Sequence, residues 1–265
     1  MINNLRTAIG FLTRIPINTP QVVLSEAAPW FPVVGLGIGL IQAATFVGLN
    51  AVLPAGPAAV LSVAVAALVT GAFHHDGLAD MADAFGGGWN LEQRLEIMKD
   101  SRLGTYGTVA LILAVATEIS VLATLTPTDG ARVIIAGHCL SRAIAVAAMR
   151  FAPLARSAGR EAEGLAPDAE AKPGLGGLGA AYAQDLSTMG TLVALGFGLA
   201  VTAAALAAWW AAVGVVVVAL LAAIAVVALA IAKIGGISGD VLGAIQQLSY
   251  LALLVTASGF IAAGS

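Results

Sequence analysis

Three aspartates fall within the run His74-His75-Asp76-Gly77-Leu78-Ala79-Asp80-Met81-Ala82-Asp83. Their i, i+4, i+7 spacing lays them along one stripe of a helix. Like charges so close repel, and the arrangement calls for a cation or bound protons. Oxygen donors of this kind suit Mg²⁺, which takes one or two carboxylates and completes its shell with waters and substrate phosphates. The plainer alternative is a solvated helical face. Charged residues are only 10% of the chain, so their concentration here favours the ligand reading.

A second run, Arg94-Leu95-Glu96-Ile97-Met98-Lys99-Asp100-Ser101-Arg102-Leu103-Gly104-Thr105-Tyr106-Gly107, offers Asp100 as a further ligand. Lys99 and Arg102 are suited to phosphate oxygens, or alternatively to anionic lipid head groups. A third, Lys233-Ile234-Gly235-Gly236-Ile237-Ser238-Gly239-Asp240, has glycines, Gly239 among them, that let backbone N–H groups approach an anion. Asp240 is either a helix N-cap or a metal ligand. Arg142, beside Ser141 in an apolar run, contacts either a phosphate or a structural partner. Glu118 and His138 are expected to pair across neighbouring spans in a structural role. His74 and His75 flank the acidic stripe, where a general-base role for either is a weak alternative.

The elements that hold these residues are membrane helices. Of 265 residues, 59% are hydrophobic, and the mean hydropathy is +0.95. Soluble domains carry about 45–50% apolar and about 25% charged residues, so a soluble globule is excluded. One cysteine, Cys139, excludes a disulfide scaffold, and a net charge of −3 gives no reason to expect nucleic acid. A helix needs about 20 apolar residues to cross a bilayer. Seven runs qualify, at 32–53, 57–73, 108–125, 132–151, 188–208, 211–232 and 241–262. The second is short and is expected to continue as a helix past the membrane surface. The class is therefore all-α, a polytopic bundle forming one integral membrane domain over 1–265.

Orientation follows from the positive-inside rule. Arg6, Arg14, Arg94, Lys99, Arg102, Arg150, Arg156, Arg160, Lys172 and Lys233 share one side if the N-terminus is cytoplasmic. Arg132 alone falls on the other, while Arg142 lies within a span. The same topology puts Asp76, Asp80, Asp83, Asp100 and Asp240 on the cytoplasmic face. Residues 3–15 are expected to form a short surface helix, and Gly35 and Gly39 to let helices approach closely. Two long cytoplasmic loops, 74–107 and 152–187, carry or cover the site. The first contains a hinge at Gly86-Gly87-Gly88 and a short amphipathic helix with Leu91, Leu95 and Met98 on one face. The second is either a lid or a connector.

The pattern Phe73-His74-x-Asp76-Gly77-Leu78-Ala79-Asp80-x-x-Asp83, followed by 95–107, resembles the cobalamin synthase family, the adenosylcobinamide-GDP ribazoletransferases. The resemblance extends to Phe11-Leu12-Thr13-Arg14-Ile15-Pro16, Phe31-Pro32-Val33-Val34-Gly35, Ser141-Arg142 and Glu163-Gly164-Leu165. It continues through Gly235-Gly236-x-Ser238-Gly239-Asp240-x-Leu242-Gly243-Ala244, and so covers nearly the whole chain. The chain departs from the family in having His75 where an aliphatic residue is common, and Gln246, Gln247 and Tyr250 where acidic residues are frequent.

The resemblance implies a Mg²⁺-dependent enzyme of the cytoplasmic (inner) membrane. Such an enzyme transfers the adenosylcobinamide-phosphate moiety from adenosylcobinamide-GDP to alpha-ribazole or its 5′-phosphate. GMP is released, and adenosylcobalamin or its 5′-phosphate is formed. On that reading Asp76, Asp80, Asp83 and Asp240 serve the metal, and Asp76, Asp80, Asp83 and Asp100 the catalysis. His74, Lys99, Arg102, Arg142 and Gly239 bind substrate. The bilayer is the expected partner, nucleic acid is not, and a homo-oligomer stays open. The alternatives are a CDP-alcohol phosphotransferase, whose second motif half is replaced here by Ala84-Phe85-Gly86-Gly87-Gly88, and a transporter.

Overall fold

A computed structural model describes residues 1–17, 24–155, 186–206 and 209–264. Its regular elements are helices. They are α1 (Ile2–Leu12), α2 (Leu24–Ala27), α3 (Phe31–Asn50), α4 (Ala55–Thr70), α5 (Phe73–Gly87), α6 (Leu91–Ile97) and α7 (Thr105–Thr124). These are followed by α8 (Pro127–Phe151), α9 (Thr188–Leu206), α10 (Trp209–Ile234) and α11 (Gly239–Gly264). A 3-10 turn, Ala28–Trp30, joins α2 to α3.

Six of the seven predicted spans are long and apolar enough to cross a membrane by themselves. The exception is the run at 57–73. Its helix, α4, has 16 residues and ends at a 90° bend into α5. The bend has a local cause: Gly71 and Ala72 are both left-handed, with φ of 64° and 56°. The Ala72 N–H donates to the Ala67 carbonyl at 2.8 Å, closing α4 with a bond that reaches back over the turn. A side chain on Gly71 would strike Arg14, whose own N–H donates to Val69 at 2.8 Å. The chain after α1 is thereby pinned to the bend.

The first loop, expected from residue 74, thus begins as a helix. α5 crosses the N-terminal turns of α7 and α11 instead of extending α4. The glycines 86 and 87 belong to α5, and Gly88 ends it, so they do not interrupt a loop as a hinge. α6 does form, capped by the Asn90 side chain accepting from the Gln93 N–H at 2.9 Å, and Leu91, Leu95 and Met98 pack on the core. The N-terminal surface helix is shorter than expected, ending at Leu12.

α8 and α11 form the centre of the bundle, with 78% and 67% of their most apolar stretch buried against 22% for α7 and α9. The difference follows from sequence. α8 carries His138 and Arg142, which cannot face lipid, whereas α9 has no charged, histidine or amide side chain. Gly35 and Gly39 of α3 face α8 as expected: a Cβ on Gly39 would lie 3.0 Å from the Ile135 Cα. At the same end of the bundle as α5, the Ile237 N–H donates to Pro153 at 2.8 Å and the Ala155 N–H to Ile237 at 2.9 Å. The chain leaving α8 is thus tied to the turn that opens α11. Arg156, Arg160, Lys172 and the Glu163-Gly164-Leu165 motif lie outside the described residues.

Candidate active site at the rim of the bundle

Gly77 places the acidic stripe. A Cβ there would lie 2.8 Å from the Asp240 carbonyl oxygen and 3.2 Å from the Gly243 Cα. α5 and α11 touch backbone to backbone at that point, so Asp76 and Asp80 on one helix meet Asp240 on the other. Ser238 caps α11, its Oγ accepting from the Val241 N–H at 3.3 Å. The cap alternative for Asp240 is therefore corrected: the serine takes that duty, and the aspartate sits within the first turn of α11.

Asp80, partly exposed, has its carboxyl pushed up to about 7. Burial is the main cause, followed by the charges of Asp76, Asp240 and Asp83. Three carboxylates thus bear on a fourth, with no cation offsetting them among the described residues, an electrostatic arrangement a divalent ion would relieve. Among the described residues no three His, Cys, Asp or Glu side chains close into a ready-made metal cage.

Asp83, though on the same stripe, is engaged differently. It is buried, and its two oxygens accept the backbone N–H groups of Gly104 at 2.7 Å and Gly107 at 2.8 Å. Those groups belong to the first turn of α7, whose unpaired donors favour a carboxylate. Side chains on either glycine would collide with that carboxylate. Asp83 therefore welds α5 to α7. Asp100 is held in an exposed pair in which Arg102 Nε donates to its Oδ1 at 3.0 Å. That hydrogen bonding holds the Asp100 carboxyl below its ordinary range. Lys99 is exposed on the same segment.

Beside the carboxylates a pocket opens between α1, α3, α5, α8 and α11, lined by Phe11, Phe31, Phe73, His74, Arg142 and Gly239 among others. It brings together three of the five predicted substrate residues, His74, Arg142 and Gly239. His74 is buried, and burial above all, then the charge of Arg142, keeps its pKa well below the usual histidine value. The aromatic wall was not anticipated. Phe11 stacks on Phe31 with centroids 5.6 Å apart and meets Phe73 edge-on at 5.3 Å. Its signal was present as two phenylalanines in the N-terminal motifs, but nothing in a linear sequence places them against α5.

Glu118 and His138 do not pair directly. Gln42 of α3 stands between them, donating to Glu118 at 2.8 Å and meeting His138 Nε2 at 2.5 Å, while the Tyr250 hydroxyl donates to Glu118 at 2.8 Å. Gln42 was legible as the one amide in the apolar interior of α3. His75 meets Gln247 at 3.4 Å, and Gln246 donates to Ser141 at 2.9 Å.

The sequence profile described as cobalamin-5-phosphate synthase matches residues 4–258. An adenosylcobinamide-GDP ribazoletransferase of Bradyrhizobium diazoefficiens is 37% identical over 266 residues, covering 98% of this chain and 95% of its own. That of a Sinorhizobium species is 40% identical over 93% of this chain and 92% of its own. That of Shewanella pealeana is 36% identical over 94% and 93%. No solved structure matches.

Proposed function

Because the chain belongs to the cobalamin-5-phosphate synthase family, we propose that its rim carboxylates carry out an adenosylcobinamide-GDP ribazoletransferase reaction at the cytoplasmic face of the membrane. The protein is a multi-pass inner-membrane enzyme of ribazoletransferase type, which decides against the CDP-alcohol phosphotransferase and transporter alternatives.

The reaction is a displacement at phosphorus. A ribose hydroxyl oxygen of alpha-ribazole, or of its 5′-phosphate, bonds to the phosphorus that carries the cobinamide arm. The bond from that phosphorus to the GMP oxygen breaks, GMP leaves, and an aspartate of the rim takes the hydroxyl proton. Asp76, Asp80 and Asp240, whose charges bear on one another, are the residues that would hold Mg²⁺, an ion that takes one or two carboxylates and keeps its other sites for water and phosphate. Bound there, the ion supplies electrostatic stabilisation of charge developing on the phosphoryl oxygens. Asp83 positions α5 against α7 through Gly104 and Gly107. Lys99 and Arg102, with Asp100 orienting the arginine, meet the diphosphate from the loop before α7. His74, Arg142 and Gly239 bind substrate from the pocket side.

The observation that carries this reading is the contact of Gly77 with Asp240 and Gly243, which brings two separated acidic segments to one place. The test is GMP release from adenosylcobinamide-GDP and alpha-ribazole by purified protein with Mg²⁺. Asp80→Asn is expected to lose at least about a hundredfold in turnover, the scale of removing one group that stabilises transition-state charge. Full turnover by that variant would overturn the assignment.

A further inference from the structure

Arg142 is 1% exposed, yet its Nη1 finds only the His138 carbonyl and Nδ1, both at 3.0 Å, and its Nε has no hydrogen-bond partner. No carboxylate lies within ion-pair distance of it among the described residues. A buried guanidinium without a counter-ion is costly, and an ionisable side chain within a membrane span marks a candidate ligand site. The group is also held in place. A Cβ on Gly35 would lie 2.9 Å from the Arg142 Cδ and would collide with the His138 carbonyl, so α3 clamps the arginine's stem. The cation forms part of the lining of the pocket walled by Phe11, Phe31 and Phe73.

The wall discriminates between the two nucleosides of the reaction. Among the described residues its polar side chains are His74 and Arg142, with no carboxylate or carboxamide. Guanine presents N–H donors that need such acceptors, and burying them unpaired is unfavourable. The base of ribazole is a fused aromatic ring whose outer edge carries methyl groups and no hydrogen-bonding group. Such a ring suits three phenylalanines and the aliphatic side chains of Leu12, Leu24, Met149 and Leu242. His74 lies two residues before Asp76 and Gly239 directly precedes Asp240, so the pocket adjoins the carboxylates.

Resting on the ribazoletransferase reading, we infer that this pocket is the subsite for the acceptor nucleoside, its base against Phe11, Phe31 and Phe73 and its 5′-phosphate on Arg142. Guanosine and corrin lie outside it.

Binding to the full-length protein in detergent, without Mg²⁺ or adenosylcobinamide-GDP, tests this apart from turnover, so the reaction can stand if the subsite falls. The probes are alpha-ribazole, its 5′-phosphate and GMP. The phosphorylated acceptor is expected to bind at least about tenfold tighter than alpha-ribazole, the scale of a hydrogen bond to a charged group, and GMP to displace neither. Arg142→Met abolishes that advantage and leaves alpha-ribazole binding within about twofold, whereas Phe31→Leu weakens both acceptors by the same factor. Displacement by GMP, equal weakening of both acceptors by Arg142→Met, or no effect of Phe31→Leu would each overturn the inference. So would a pocket that retains lipid and binds neither acceptor. Should Arg142→Met not fold, the three-ligand comparison on the unaltered protein still decides, because GMP competition alone sinks it.

Discussion

Two aspartates three residues apart on one helix do different work here, and the difference lies in what each oxygen already touches. Asp83 is satisfied by two backbone donors, while Asp80 is opposed by three carboxylates. The Asp80 carboxyl is raised from 3.8 to about 7, so through that window the folded chain holds a proton that the unfolded chain has released. Stability contributed by this group is therefore present at low pH and lost as pH rises toward about 7. Melting temperature without Mg²⁺ is expected to fall between about pH 4 and pH 7, to recover on adding Mg²⁺, and to lose this dependence in Asp80→Asn. Mg²⁺ affinity should weaken as pH drops through the same window, because ion and proton compete. Asp83→Ala leaves two helix-terminal N–H groups without their acceptor and is expected to cost about 1–3 kcal/mol per unsatisfied buried donor, measured by chemical denaturation in detergent.

Among the helices, the decisive join is that of α5 with α11. A helix carrying three aspartates could lie anywhere on the membrane surface; the left-handed pair Gly71-Ala72 turns it, and Gly77 lets it press on Asp240 and Gly243. Gly77→Ala needs α5 to move away from α11, since the added methyl would lie 2.8 Å from a backbone oxygen. Separation of Asp76 and Asp80 from Asp240 is the expected result. Turnover should fall by about a hundredfold, as misplacement of about 1 Å does elsewhere, while circular dichroism and membrane insertion stay unchanged. Retained activity would show that the two acidic segments act independently.

For the molecule as a whole, the functional groups crowd one end of the bundle while the other end is plain. Arg94 reinforces that end, its Nη1 donating to the Lys233 carbonyl at 3.0 Å and so tying α6 to α10. The positive-inside rule predicts that this end faces the cytoplasm. Cysteine-accessibility mapping checks it directly, in a Cys139→Ala background. Trp89→Cys, at an 89% exposed position on the functional end, should label from the cytoplasmic side only. Val52→Cys, 77% exposed at the opposite end, should label from the other side only. The reverse pattern would invert the topology and the proposed access of substrate.

The sequence by itself determined the membrane class, six spans to within a few residues, the family resemblance and the acidic stripe. Each rests on composition or on spacing within one segment, which local chemistry dictates. Tertiary structure alone decided that the short fourth helix bends, that Asp83 is a weld and Asp80 is not, that Gln42 bridges Glu118 to His138, and that Phe11, Phe31 and Phe73 share a wall with Arg142. These depend on contacts between segments distant along the chain, where the backbone of one helix sets the room and the hydrogen-bond partners left to another. Helical periodicity shows which residues share a face; it does not say what that face meets.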